Sequence, residues 1–313
     1  MEYTTLGRTG MRVSVAGLGC GGHSRLGTAT GKSEAESIAL VRAALDVGIN
    51  MIDTAEVYGT EAIVGKALEG VRRDQVIVST KKLPPSPDHN DPVGELQRGV
   101  EQSLRRLRLD YVDIFFLHGV LPGQYQYAYQ TLVPVLQRLQ REGKIRAVGV
   151  TEAFIRDPQH RMLQEAVKAD CWDVMMVGFS LLNPSARYRV FPQTIAKQIG
   201  VLGMFAVRRA LSQPPALLAL LADLRKRGHI AADACVGDDP LGFLLAPGKA
   251  ATIPEVAYRF CRYEPGMHTV LSGTGNVEHL KENVSSLLKP PLVATDLQRL
   301  ETLFGTVDSV SGD

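Results

Sequence analysis

Gly48-Ile49-Asn50-Met51-Ile52-Asp53-Thr54-Ala55-Glu56-Val57-Tyr58-Gly59 is an apolar run that stops at a carboxylate, with a tyrosine five residues further on. The run is too short and too uniformly apolar for an amphipathic strand, and it reads as an extended segment buried on both faces. Before it, residues 33–47 place Ile38, Val41 and Leu45 on one helical face; after it, residues 61–68 read as a second helix. This strand-helix alternation is the unit of the chain.

Outward from that stretch the unit repeats. Val15 to Gly19 is a strand before the 33–47 helix, and residues 76–79 precede a helix over 92–107 with Asp91 as N-cap and Pro92 in its first turn. Further strands are expected at 111–117, 147–150, 174–177, 201–205 and 268–272, with helices striped by Leu132, Val135, Leu136 and Leu139, then over 161–169, near 193–198, and by Val277, Leu280, Val284 and Leu287. Two short runs around Gly7-Arg8-Thr9-Gly10 read as a leading hairpin. Residues 208–248 form a long excursion after the seventh strand, containing a helix over 215–224 and a loop rich in Gly, Pro and Asp; a helix over 253–263 follows, and one over 295–303 has no strand partner. Eight units predict an α/β protein, a closed (β/α)8 TIM barrel with an N-terminal β-hairpin, as one domain over 1–313; a doubly wound open sheet is the alternative. A barrel carries its chemistry at the C-terminal ends of its strands.

Composition narrows the classes. A net charge of +2 over 313 residues offers no broad basic field for nucleic acid or anionic lipid. No apolar run reaches the roughly 18 residues of a membrane span, and the start of the chain lacks a secretory pattern. Cysteines at 20, 171, 235 and 261 form no CxxC pair and no metal-ligand spacing, which predicts reduced thiols, a cytoplasmic protein and no metal site.

Two phosphate-like motifs fail on context. Gly17-Leu18-Gly19-Cys20-Gly21-Gly22 satisfies GxGxxG, but no helix opens at the third glycine, so the expectation is close backbone packing at a strand end. Gly31-Lys32-Ser33 resembles the end of a P-loop, yet Leu26 stands where its first glycine belongs. Ser33 with Glu36 reads instead as a capping box.

Three successive strands end in ionisable residues: Asp53, then Lys81 just after the third strand, then His118 following Phe115-Phe116-Leu117. Neighbouring strands lie about 4.8 Å apart, so the three side chains converge at one mouth, within reach of Tyr58. A tyrosine hydroxyl, with an ordinary pKa of about 10, transfers a proton poorly near neutrality, and an adjacent ammonium favours its anion. Asp53 keeps Lys81 charged, and a neutral His118 orients a substrate oxygen or shares the proton. The inventory is that of a tyrosine general acid facing a carbonyl, with the hydride donor unnamed.

These residues, with Leu6-Gly7-Arg8-Thr9-Gly10, Ser79-Thr80-Lys81, Leu117-His118, Gly143-Lys144-Ile145-Arg146-Ala147-Val148-Gly149-Val150 and Glu282-Asn283, resemble the aldo-keto reductase superfamily over nearly the whole chain. The resemblance implies a catalytic tetrad of Asp53, Tyr58, Lys81 and His118 and reversible carbonyl reduction with NADPH, NADH being the alternative. It implies that the cofactor meets Gly22, Thr151, Glu152, Met176, Phe205, Ala206, Val207 and Arg208, with Gly273, Thr274, Asn276, His279, Glu282 and Asn283 around its adenosine end. Residues 151–152 depart from the family's Ser-Asn, and Met176 from its Gln. An ionised Glu152 accepts from a carboxamide NH2 but cannot donate, and Met176 is a weak acceptor.

Phe205 matches the family's ring-stacking aromatic and equally fits a core aromatic. Free N–H groups at the helix after residue 276 suit phosphate, but no Lys or Arg stands at 273, 276 or 279 to select the 2'-phosphate. Arg208 and Arg209 fit a pyrophosphate, an anionic substrate or solvent. Trp172 reads as packing, and Cys20 lies near the mouth without an activating neighbour. The expected partner is a small carbonyl or alcohol, from sugar lactols to aldehydes and aromatic ketones. The alternatives are a cofactor-binding regulatory protein of the same fold with little turnover, and a different barrel enzyme such as an isomerase.

Overall fold

A computed structural model describes residues 1–245 and 248–313. Strands β1 (Tyr3–Thr5) and β2 (Arg12–Ser14) pair antiparallel. The eight following strands are β3 (Ala16–Gly19), β4 (Met51–Asp53), β5 (Ile77–Lys82), β6 (Val112–Val120), β7 (Ile145–Glu152), β8 (Val174–Gly178), β9 (Gly200–Met204) and β10 (Thr269–Ser272). They are parallel and close in the order β10-β3-β4-β5-β6-β7-β8-β9, which is the barrel and not the open sheet.

Pleating divides each strand between two cores. Met51, Ile77, Ile114, Phe116, Ala147, Val174, Met176 and Leu202 fill the barrel, whereas their sequence neighbours Ile52, Val78, Phe115, Val148 and Met175 join the layer beneath the helices. Leu6, Met11 and Val13 of the hairpin region belong to the inner cluster, so the hairpin plugs the N-terminal end. The same alternation that buries Met51, Ile77 and Ile114 brings Asp53, Lys81 and His118, two or four residues on, to the inside of the opposite end.

The helical expectations hold with local differences. Ser33 caps Glu34–Asp46 with the capping box, and Asp91 caps Pro92–Leu107. The sixth unit carries two short helices, Ala186–Arg189 and Phe191–Ala196, where one over 193–198 is expected, because Pro192 restarts the helix at its first turn. The helix expected over 161–169 ends at Ala166. Between β9 and β10 lie helices Arg209–Ser212, Pro214–Lys226 and Ile253–Arg262. The loop expectation for residues 246–247 falls outside the described residues. Among the described residues no helix is long and apolar enough to cross a membrane.

Candidate active site

Strand length corrects two positions. Lys81 and His118 lie within β5 and β6, which run on to Lys82 and Val120, so both side chains are fixed by the sheet and not by loops. Lys81 is fully buried; its Nζ donates to Asp53 Oδ2 at 2.6 Å and to the Thr54 carbonyl at 2.8 Å. Ser79 donates to the other Asp53 oxygen at 2.5 Å. Burial raises the Asp53 carboxyl against the pull of Lys81. Burial also works to remove the Lys81 proton, but Asp53 and then Tyr58 outweigh it, and the ammonium is held above the ordinary lysine value. A charged lysine is therefore built into the barrel mouth.

Tyr58 ends a short 3-10 turn, Glu56–Tyr58, closed by Gly59 at φ 72°. Lys81 Nζ lies 4.8 Å from the phenol ring centroid. The Tyr58 hydroxyl is 3.4 Å from His118 Nε2, with the rings perpendicular at 5.5 Å between centroids. Burial, and then the Lys81 charge, push the His118 imidazole down to about 3, so it is neutral at physiological pH. Its Nδ1 is buried without a partner among the described residues. The glycine run explains itself here: a Cβ on Gly21 would stand 2.6 Å from the Tyr58 ring. No helix opens at Gly22; the run is the seat of the tyrosine. Burial raises the neighbouring Cys20 thiol, which leaves it inert.

The residues expected around a cofactor line the same end of the barrel, in differing states. Thr151 accepts from the Gly119 N–H at 2.7 Å, and its own O–H has no acceptor among the described residues. Glu152 is committed elsewhere: its carboxylate meets His160 Nδ1 at 2.9 Å and accepts from the Gly178 N–H at 2.7 Å, tying β7 to β8. Burial raises its pKa, opposed by His160. Met176 packs inside the barrel. Phe205 sits at φ 69°, its ring edge-to-face with Phe154, which stacks on His160. Ala206 is buried and Val207 partly so. Arg208 lies 4.0 Å over the Phe205 ring, near the open position beside Gly22.

At the helix Val277–Leu288 the expected free donors are taken. Asn276 Oδ1 accepts from the N–H groups of Glu278 and His279 at 2.7 and 3.3 Å, because an asparagine at the N-cap satisfies its own helix. Thr274 accepts from the Asn276 N–H, and Asn283 donates to Ser272, its carbonyl oxygen having no donor among the described residues. Gly273, His279 and Glu282 are exposed. His160, Phe154 and Asp313 also meet this region, and the sequence carries no local signal for them. No periodicity links Glu152 to a histidine eight residues on, and His160 sits in a left-handed conformation at φ 58°. Among the described residues no group of three metal-ligating side chains occurs.

Residues 18–304 match the Aldo/keto reductase family. The chain is 26% identical over 319 residues to L-galactose dehydrogenase of Arabidopsis thaliana, covering 99% of this chain and 95% of that protein. It is 40% identical over 166 residues to an aldo-keto reductase of Bacillus subtilis, covering 50% and 48% of the two chains. The holo form of an aldo-keto reductase from Bacillus halodurans superposes with a TM-score of 0.74 at 26% identity, covering 97% and 96%. With the barrel, the hairpin plug and the strand-end cluster on one chain, this protein belongs to the aldo/keto reductase family.

Proposed function

We propose that the protein is an NAD(P)H-dependent carbonyl reductase, reversible toward alcohol oxidation, in which Tyr58 is the general acid. The observation that carries this is the phenol held between a buried ammonium and a neutral imidazole, with Lys81 Nζ 4.8 Å from its ring centroid and His118 Nε2 3.4 Å from its hydroxyl. A substrate carbonyl oxygen meeting Tyr58 and His118 receives the phenol proton, and the Lys81 charge stabilises the phenolate left behind. Asp53 does not touch the reacting atoms; it keeps Lys81 protonated and aimed by the 2.6 Å bond.

The residues fit a nicotinamide dinucleotide. When bound, the reduced nicotinamide supplies the hydride to the carbonyl carbon. Thr151, with its open donor, suits the carboxamide oxygen; Glu152, held by His160 and Gly178, braces the strand ends behind it. Phe205 offers a ring, Arg208 a cation whose buried Nε has no partner among the described residues, and Gly22 leaves space where a side chain would stand. Arg208 meets the diphosphate, while Thr274, Asn276, His279, Glu282 and Asn283 line the adenosine end. No cation stands at 273, 276 or 279, so both NADPH and NADH are accepted. The test is Tyr58→Phe, assayed against an aldehyde and ketone panel with each cofactor. Turnover falls by about 10²–10⁴-fold with cofactor affinity unchanged; near-wild-type turnover overturns the assignment of Tyr58.

A further inference from the structure

The 308–313 segment runs along the catalytic rim, hung on one strand-end loop after another. Asp308 accepts from Arg189 at 2.5 Å and from Gln159 at 3.2 Å. Asn183 donates to the Val310 carbonyl at 2.8 Å, and the Ala210 N–H to the Gly312 carbonyl at 3.0 Å. These anchors belong to the connections that follow β7, β8 and β9. They deliver Asp313 to Arg208: Nη2 donates to Asp313 Oδ2 at 3.4 Å, while the other oxygen lies 3.5 Å from His23 Nε2 on the loop leaving β3.

Arg208 is thus held from two sides, by the Phe205 face and by a carboxylate. A carboxylate and a phosphate use the same guanidinium edge. The side chains of Arg208 and Asp313 are 23% and 22% exposed, so the pair is open enough to separate. A dinucleotide diphosphate arriving beside Gly22 meets the negative charge of Asp313 where it needs the positive charge of Arg208.

The geometry points to Asp313 as an internal anion that occupies Arg208 in the cofactor-free protein and is displaced by the cofactor diphosphate, so that this one residue weakens cofactor binding. The inference rests on the reading that Arg208 meets the diphosphate. It concerns the part common to NADPH and NADH, and so is independent of which is preferred.

The test is a double-substitution cycle with equilibrium Kd for NADPH, and for NADH in parallel, read by fluorescence titration of the full chain. Asp313→Asn keeps the side chain's size and removes its charge. It is expected to tighten binding about two- to fivefold, the range of a partly exposed ion pair, and to have a smaller effect in an Arg208→Ala background. The gain shrinks at about 1 M salt, where the screening length is about 3 Å. Unchanged or weaker binding by Asp313→Asn, with Arg208→Ala still weakening the wild type, overturns the displacement and leaves the cofactor reading standing. An equal effect of Asp313→Asn in both backgrounds overturns the role of Arg208 as its target. Failure of every form to bind either nucleotide overturns the cofactor reading itself, and the inference with it.

Discussion

At the scale of single residues, the site is a set of environments that decide protonation. Lys81 and Asp53 are both buried and joined at 2.6 Å, an arrangement in which each charge is tolerable only because of the other. His118 shows the opposite outcome: burial and the Lys81 charge drive its pKa from 6.5 to about 3, so the fold accepts it only as a neutral ring. Between those two values the unfolded chain binds the proton and the folded one does not. The stability contributed is therefore complete above 6.5 and is lost as pH falls from there toward 3. Between about pH 7 and about pH 5, the wild type is expected to lose about 2 kcal/mol more stability than His118→Asn. Urea unfolding of both proteins at the two pH values measures this, and equal losses contradict a depressed His118. The same neutrality predicts no inflection from His118 in the activity profile between pH 5 and pH 8.

At the scale of elements, the site depends on backbone that leaves room for it. Gly21 lies under the Tyr58 ring, where a Cβ would stand 2.6 Å from its carbons, and no positive φ sets this glycine apart. Gly21→Ala is expected to keep the barrel, at a cost of about 1–3 kcal/mol, while a displacement of the phenol by about 1 Å lowers kcat about 10²-fold. Parallel measurement of kcat, cofactor Kd and urea midpoint separates this from unfolding; unaltered kcat removes Gly21 as the seat of the tyrosine. The sequence made the elements legible where one rule sufficed. Short apolar runs gave the strands, and Ser33, Asp91 and Pro92 gave two helix starts. Asp53, Tyr58, Lys81 and His118 are legible as one cluster because strand ends share a mouth in a barrel. Lys81 and His118 lie within strands that the apolar pattern ends too early, because a polar residue inside a strand breaks the apolar run by which strands are recognised. Contacts without a local signal stayed hidden. Glu152 with His160 depends on a left-handed turn, and Asp313 reaches Arg208 across 105 positions.

At the scale of the whole molecule, the two ends of the barrel carry separate duties. The N-terminal end is closed by the hairpin: Leu6 is fully buried in the inner cluster, Gly7 abuts the backbone of residues 198–200, and the Arg8 N–H donates to the Gln198 carbonyl at 2.6 Å. The inner core of Met51, Ile77, Ile114, Phe116, Val174 and Leu202 separates this plug from the strand ends that hold Lys81 and His118. Side chains packed in layers transmit the loss of a plug as lost cohesion throughout the barrel, while the strand-end side chains keep the bonds that orient them. Leu6→Ala removes a fully buried side chain and is expected to cost about 2–5 kcal/mol, read as a lower urea midpoint. At a temperature where the variant is fully folded, its kcat and cofactor Kd should match the wild type, because the Lys81, Asp53 and Thr54 contacts lie wholly at the other end. A fall in kcat of the folded variant, at unchanged cofactor Kd, contradicts that separation and means that packing at the plug positions Tyr58 and His118 through the barrel core.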